Sequence, residues 1–387
     1  MSYLCSCETI TNGTNLTTSC PMNLFSDLKR RYTTESLTAR DAQRQAEFIA
    51  FSPIVFQVTR LMFKFGILDK LRDSTDGLTE EEVASQCGIT AYAAKCLLEA
   101  SLSIGTVLVD TATDRFRLSK TGWFLLNDSA TRVNIDFNHD VNYLGMFHLE
   151  EALKEGRPAG LEHFGPWPTI YEGLASLPEG VRQSWLAFDH FYSDSSFPEA
   201  LQTVFGEYFV RTLYDVGGNT GRWALSCVSY DEQAEVTVLD LPQQIEMMEE
   251  NIAGKPGADR IKGYGIDLLS REARFPQPEG ELDAIWMSQF LDCFSEEEIV
   301  RILTKAKEVM GEGTRLFIME TFWDRQRFEP AAFCLTMTSL YFTAMANGNS
   351  KMYHSDDMIR LIQKAGLEIE SIRDGLGQGH SIVVARK

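Results

Sequence analysis

Residues 213–225 read LYDVGGNTGRWAL, an apolar run, a glycine turn and then helical spacing, and this stretch constrains the fold more than any other. Gly217, Gly218 and Gly221 leave backbone bare where a ligand can approach it, as the turn after the first strand of a nucleotide-binding α/β fold requires. A dinucleotide fingerprint reads GxGxxG; here the middle glycine is displaced. Asp215 stands just before the turn, where a carboxylate repels a pyrophosphate and suits a cation.

The surrounding chain has the rhythm such a turn needs. Apolar runs at 212–216, 235–240, 260–263, 283–288, 315–320, 367–372 and 381–385 alternate with helical segments, which predicts a doubly wound, parallel α/β sheet. Nineteen residues past Gly221 the second run, VTVLDLP, ends in Asp240, placed to accept two ribose hydroxyls. A third acid, Asp267 of GYGIDLL, follows the next run and is placed to hold an adenine amino group. Three acids in order, each at a strand's carboxyl end, favour S-adenosylmethionine, a nucleoside that carries an ammonium and a sulfonium and no phosphate.

The first half of the chain is helical. Residues 39–71 are apolar at three and four spacing and nearly continuous after Phe48, so they belong in a core or a subunit interface. Thr79 and Glu82 form a capping box for a short helix that Gly88 closes; a second helix ends at Gly105, and a small hairpin follows. Helix, turn, helix, hairpin is the winged-helix order, which raises a DNA-binding or ligand-sensing regulator as a competing reading. The second helix, however, carries one Lys and one Glu, and the first opens with three glutamates, so arginines and amides for phosphates and base edges are missing. The formal charge of −19, from 36 basic and 55 acidic residues in 387, also repels nucleic acid and anionic membrane surfaces. Eight scattered cysteines without a CxxC pair, no membrane-length apolar stretch and no export signal point to a reducing cytoplasm. Residues 1–21 are Ser/Thr/Asn-rich and read as a disordered tail, with its sequons at Asn12 and Asn15 as tail composition. The division expected is 22–130 as a winged-helix-like dimerisation domain, 131–205 as a helical, aromatic-rich region that roofs a pocket, and 206–387 as the cofactor domain.

From about residue 40 to the end, the series DVGGNTG, VLDLP, GYGIDLL and DAIWMSQFLDCFSEEE resembles the small-molecule O-methyltransferase family that includes plant caffeic-acid and hydroxyindole methyltransferases and bacterial polyketide-tailoring enzymes. The resemblance implies a Rossmann-like methyltransferase domain with its last strand antiparallel, preceded by an α-helical dimerisation domain, a homodimer, S-adenosylmethionine as cofactor and no metal. By position Gly217, Asp240, Asp267 and Leu268 match the family's cofactor contacts, and Ser196 matches a serine near the methionine carboxylate. Asp215, Gly218, Gly221, Leu241 and Ser288 complete the expected cofactor set, while Asn219 replaces the usual third glycine. Phe188 and Tyr192 occupy acceptor-sandwiching positions, and Met337 and Tyr341 of FCLTMTSLYFTAMANG fall where the family walls its substrate pocket, which suits a small aromatic hydroxyl compound.

One expected residue is missing. In the plant enzymes the fourth strand leads into a His-Asp-Trp segment whose histidine takes the hydroxyl proton; laid on WMSQFLDCFSEEE without gaps, that position is Asp292. A supporting glutamate survives as Glu320, and the other falls on Met352. An ordinary aspartate, at pKa roughly 3.9, is a feeble base for a phenol at roughly 10. Burial beside Glu320 would raise it, so Asp292 with Glu320 is the expected catalytic pair, and His148 and His354 are the candidates should a histidine stand in. The lost histidine leaves carbon methylation beside a phenol, and a non-methylating use of the cofactor, open on the same fold. Ser295 and Glu298 read as a capping box rather than part of a metal site.

Overall fold

The computed structural model describes residues 26–387. The expectation for residues 1–21 lies outside the described residues.

Among the described residues nine strands form two sheets. The N-terminal half contributes β1 (Val107–Asp110) and β2 (Arg115–Leu118), an antiparallel hairpin that follows the helices Glu80–Cys87 and Ala91–Ile104. The Thr79–Glu82 capping box is formed: the Glu82 amide donates to Thr79 Oγ1 and the Thr79 amide to Glu82 Oε2. Met62, Ile67, Leu68, Val83, Leu98 and Phe116 close a core of their own. Ahead of it, the helix Ala39–Ala50 buries none of its side chains, and Phe48, Ile49, Phe51 and Ile54 stand exposed. Residues 39–71 thus do not join one core. Their last turns do, and the first helix is uncovered in the single chain.

The second sheet holds β3 (Thr212–Val216), β4 (Glu235–Asp240), β5 (Ile261–Gly265), β6 (Ala284–Ser288), β7 (Arg315–Glu320), β8 (Glu368–Leu376) and β9 (His380–Arg386), ordered β5-β4-β3-β6-β7-β9-β8. Strands β3 to β7 pair in parallel, and β9 inserts antiparallel between β7 and β8. The strands are apolar on both faces because helices cover both. Ile285, Met287, Leu316 and Ile318 face the helices Glu296–Val309 and Ser355–Lys364, while Trp286, Phe317, Val236 and Val238 face Phe197–Glu207, Arg222–Tyr230 and Pro242–Ile252. The strand order reverses between β3 and β6, and a crevice opens there at the carboxyl ends, where doubly wound sheets bind ligands. The expected last strands are longer than their apolar runs, because the β8–β9 ladder continues through polar residues such as Arg373 and Asp374.

Helices from the middle of the chain, Ser129–Phe137 and Glu179–Asp194, pack together over that crevice with Leu161, Ile170 and Tyr341. Gly156 and Pro178 end or open helices there, as their residue types dictate.

Candidate active site

A cavity of about 570 Å³ lies at the crevice; residues at the ends of β3, β4 and β6 line one part of it, the first lobe, and aromatic residues of the middle helices line another, the second lobe. In the first lobe the chain leaves β3 through Gly217 and Gly221, at φ +74° each, and Asn219 at φ +49°. Asparagine is one of the few residues that tolerates that left-handed position, so the missing glycine changes the turn little. A Cβ on Gly217 would lie 2.3 Å from the Phe290 ring, and one on Gly218 2.6 Å from Asp215 Oδ2. Asp215, 2 % exposed, sits beneath the turn with Oδ2 unpartnered; burial first, then Asp240, pushes its pKa up to about 8. Asp240 accepts the Asn219 amide at 2.9 Å and the Leu241 amide at 2.7 Å, and burial raises its pKa against those two bonds. Asp267 lies two residues past β5 and accepts the Leu269 amide at 2.9 Å. Asp215, Gly217, Gly218, Asp240, Leu241, Asp267, Leu268 and Ser288 all line the cavity.

These residues fit S-adenosylmethionine and disfavour a dinucleotide. An unpartnered buried carboxylate oxygen, two bare glycines and two further carboxylates match an ammonium, a sulfonium and a ribose; the lobe offers no lysine for phosphate. Two expected contacts do not line the cavity. Gly221 backs onto Met248 as the N-cap of the helix Arg222–Tyr230, and Ser196 is fully buried with its hydroxyl donating to the Ser193 carbonyl at 2.7 Å. Both hold the frame from behind because each caps a helix at its start.

Asp292 and Glu320 come together at the second lobe, and only one faces it. Glu320, at the end of β7 and 2 % exposed, accepts the Phe290 and Leu291 amides with Oε1 at 3.2 and 2.9 Å; its Oε2 is buried without a partner. Burial, then the Asp292 charge, raises the Glu320 pKa well above the carboxylate range, so this side chain holds the 290–292 turn as a neutral acid. Asp292 lines the cavity, is 4 % exposed, and receives the Cys293 thiol at 3.5 Å. Burial pushes its pKa up to about 7, the thiol opposes, and the charge of Asp189 adds to the rise.

The remaining expected residues divide. Phe188 and Tyr341 line the cavity; Phe188 stacks on Phe137 at 3.9 Å, and Tyr341 Oη accepts the Trp185 indole N–H at 2.6 Å. Tyr192 does not, because its hydroxyl is drawn to Asn134 Oδ1 at 3.1 Å while its ring packs on Phe188. Met337 is 47 % exposed: with Phe333, four residues earlier, it forms an outward stripe of the helix Glu329–Tyr341. His148 stands at the surface 3.3 Å from Glu151, ahead of an acidic helix start. His354 is buried outside the cavity, its Nδ1 accepting the Asp356 amide to cap Ser355–Lys364 and its Nε2 3.6 Å from Asp324. Neither His148 nor His354 lines the cavity; the imidazole that does is His190.

Several functional candidates lie outside the sequence expectations. Asp189, one residue after Phe188, reaches Asn219 Nδ2 at 3.4 Å, and burial followed by the Asp194 charge pushes its pKa up to about 6. Its signal is faint, an acid in an otherwise aromatic helix face. Gln289, at φ +46°, lines the cavity and is fixed from behind by His380 at 3.0 Å. Trp286 stacks on Trp223 at 4.2 Å beneath the glycine turn.

Comparison with known proteins follows the same geography. Residues 43–116 match the Dimerisation2-like domain and residues 196–368 the O-methyltransferase domain. The chain belongs to the S-adenosylmethionine-dependent O-methyltransferase family. Bacteriochlorophyllide d C-20 methyltransferase of Chlorobaculum tepidum is 28 % identical over 158 residues, 40 % of this chain and 44 % of that enzyme's length. Human acetylserotonin O-methyltransferase is 22 % identical over 298 residues, 74 % of this chain and 81 % of its own length. Among solved structures, human N-acetylserotonin methyltransferase with S-adenosylmethionine superposes with a TM-score of 0.63 at 18 % identity, covering 92 % of this chain and 99 % of that one. An O-methyltransferase from neocarzinostatin biosynthesis, bound to S-adenosylmethionine and 2-hydroxy-5-methyl naphthoic acid, gives 0.63 at 19 % identity over 86 % and 95 %. At such identities the likeness speaks for the shared fold.

Proposed function

We propose that this O-methyltransferase moves a methyl group from S-adenosylmethionine to a hydroxyl of a small aromatic metabolite. The observation that carries the reading is a carboxylate-lined glycine turn continuous with an aromatic lobe that ends on a buried acid. Asp215, Asp240 and Asp267 hold the cofactor's charged and ribose ends, with Gly217 and Gly218 admitting it against the backbone. When bound, the cofactor supplies a methyl group on a positive sulfur, which an oxygen lone pair takes as the carbon–sulfur pair stays with sulfur. Phe188 and Tyr341 flank the acceptor ring, and their alignment of it supplies most of the acceleration. Asp292 takes the hydroxyl proton on its carboxylate, and neutral Glu320 positions it through the two amides of the 290–292 turn.

The domain roles follow from the same reading. Residues 206–387 carry the cofactor, 131–205 roof the acceptor, and 22–130 pair with a second copy of the chain. The uncovered apolar residues Phe48, Ile49, Phe51 and Ile54, inside the stretch that matches the Dimerisation2-like domain, support that pairing. Among the described residues no single helix is long and apolar enough to cross a membrane, and Cys87, Cys96, Cys227, Cys293 and Cys334 are free thiols, which suits work in the cytoplasm without nucleic acid or membrane as partners.

The absent histidine favours a second reading, methylation of a ring carbon beside a phenol, where the ring is the nucleophile. One experiment separates the two: incubation with labelled S-adenosylmethionine and a panel of phenols, with the transferred methyl located by mass spectrometry. Label on oxygen is the expected result, label on carbon moves the reading to its alternative, and a protein that binds no S-adenosylhomocysteine sinks both.

A further inference from the structure

Eight carboxylates line the cavity, against one guanidinium and one imidazole. The guanidinium, Arg222, is paired with Asp194, and burial lowers the pKa of His190, which leaves it neutral. Asp215, Asp240 and Asp267 face the cofactor lobe and match its cation. Asp189 and Asp292 lie beyond it, one beside the glycine turn at Asn219 and one against Cys293; among the described residues no lysine or arginine pairs with either, and the nearest basic group to Asp189 is the His190 imidazole at 3.8 Å. Buried carboxylates are ordinarily paired, because an unpaired one loses its hydration without compensation. Here burial raises both pKa values instead, and a ligand cation set beside them would favour their ionised forms.

Aromatic rings, a lining that can receive cations, share the cavity with those acids. Phe137 stacks on Phe188, meets Tyr341 edge to face at 4.9 Å, and Phe342 lies 5.2 Å from Tyr341. Trp185 gives its only polar hydrogen to Tyr341 Oη. Aromatic faces carry negative quadrupole density and attract a positive nitrogen set against them, most strongly where water is excluded. Two independent features, unpaired acids and an aromatic wall, thus ask for the same ligand charge.

The chemistry of the hydroxyl asks for it too. Against a neutral phenol, with a pKa of roughly 10, a carboxylate near 7 remains about three units short. A positive nitrogen within the ring system withdraws electron density from the oxygen and lowers the hydroxyl pKa toward that of the base. Resting on the O-methyltransferase reading above, we propose that the acceptor is a hydroxylated nitrogen heteroaromatic cation, its charge seated between the Phe137–Phe188–Tyr341 wall and the Asp189 and Asp292 carboxylates. The O–H bond breaks toward Asp292, which takes the proton, and the electron pair stays on oxygen. The ring cation keeps its charge throughout, and Asp189 balances it.

Isothermal titration of the S-adenosylhomocysteine-loaded protein with two probes of one shape tests this. 6-Hydroxy-1-methylquinolinium carries a permanent charge, and 5-methyl-2-naphthol is its neutral carbon isostere. The cation is expected to bind about ten-fold more tightly or better, 6-hydroxy-2-naphthoate to bind more weakly than either, and Asp292→Asn to bring the cation and its isostere within about three-fold of each other. Equal affinities in the wild-type protein, a preference for the neutral or anionic probe, or no binding of any probe to loaded protein overturns the proposal. Failure of S-adenosylhomocysteine itself to bind would instead remove the methyltransferase reading, and the probe pair, titrated into unliganded protein, would still decide the charge preference.

Discussion

At the scale of single residues the proposed chemistry turns on which of two neighbouring acids titrates. Glu320 receives two backbone amides on one oxygen and keeps its proton on the other, whereas Asp292 opens to the cavity with its pKa near 7. A base must be ionised to act, so below about 7 the active fraction of Asp292 falls ten-fold per pH unit, and above it the rate levels off. The acceptor kcat/KM at saturating cofactor is expected to follow that limb, with an apparent pKa no higher than about 7. Asp292→Asn should lose at least about a hundred-fold in kcat and the limb with it. Glu320→Gln, which preserves a neutral acceptor for the Phe290 and Leu291 amides, should stay within about five-fold of wild type, whereas Glu320→Ala unseats the turn and falls much further. A Gln variant as impaired as the Ala variant would mean that Glu320 acts as an ion.

At the scale of elements, the turn and its acids were legible in the sequence, and the far wall of the cavity was not. Spacing alone places Asp215, Gly217, Asp240 and Asp267, because parallel strands deliver their carboxyl ends to one edge in a fixed order. The capping boxes at Thr79 and Ser295 were equally legible, since both partners lie within one helical turn. Tyr192 and His354 lie outside the cavity for a common reason: Asn134 and Asp324, the neighbours that decide where their side chains turn, are distant in sequence, whereas Met337 and His148 face outward. Asp189 was missed because its importance comes from Asn219 and Asp292, contacts that no local pattern announces. The legible part carries its own prediction. Gly217→Ala drives a methyl into the Phe290 ring at a left-handed φ, so it should weaken S-adenosylhomocysteine binding at least about ten-fold by calorimetry while leaving the thermal midpoint within a few degrees. An unchanged affinity would remove the turn from the cofactor site.

For the molecule as a whole, gathering so many acids at one crevice links stability to pH in an unusual direction. Asp189, Asp292 and Asp215 titrate in the folded chain near 6, 7 and 8, and Asp240 and Glu320 are raised as well, while unfolded carboxyls titrate near 4. The folded state therefore holds more protons than the unfolded state across that interval, and stability must fall as protons are withdrawn. What these groups contribute is fully present below pH 4 and is lost progressively as pH rises through 6, 7 and 8. Carboxylates with lowered values, such as Asp140 beside His139 and Arg60, act oppositely but only at lower pH, so they do not mask the trend above 5. The net charge of −19 at pH 7 reinforces it through self-repulsion. Thermal melts at constant ionic strength are expected to show a lower midpoint at pH 8.5 than at pH 5.5, with Asp215→Asn flattening the part of the slope that lies near 8. Bound S-adenosylmethionine, as a cation beside Asp215, should stabilise the protein more at pH 8.5 than at pH 5.5, because it favours the ionised acid that folding alone disfavours. A midpoint that climbs over the same range would mean that these carboxyls reach solvent, and the cradle would lose the buried acids that a bound sulfonium nucleoside ionises.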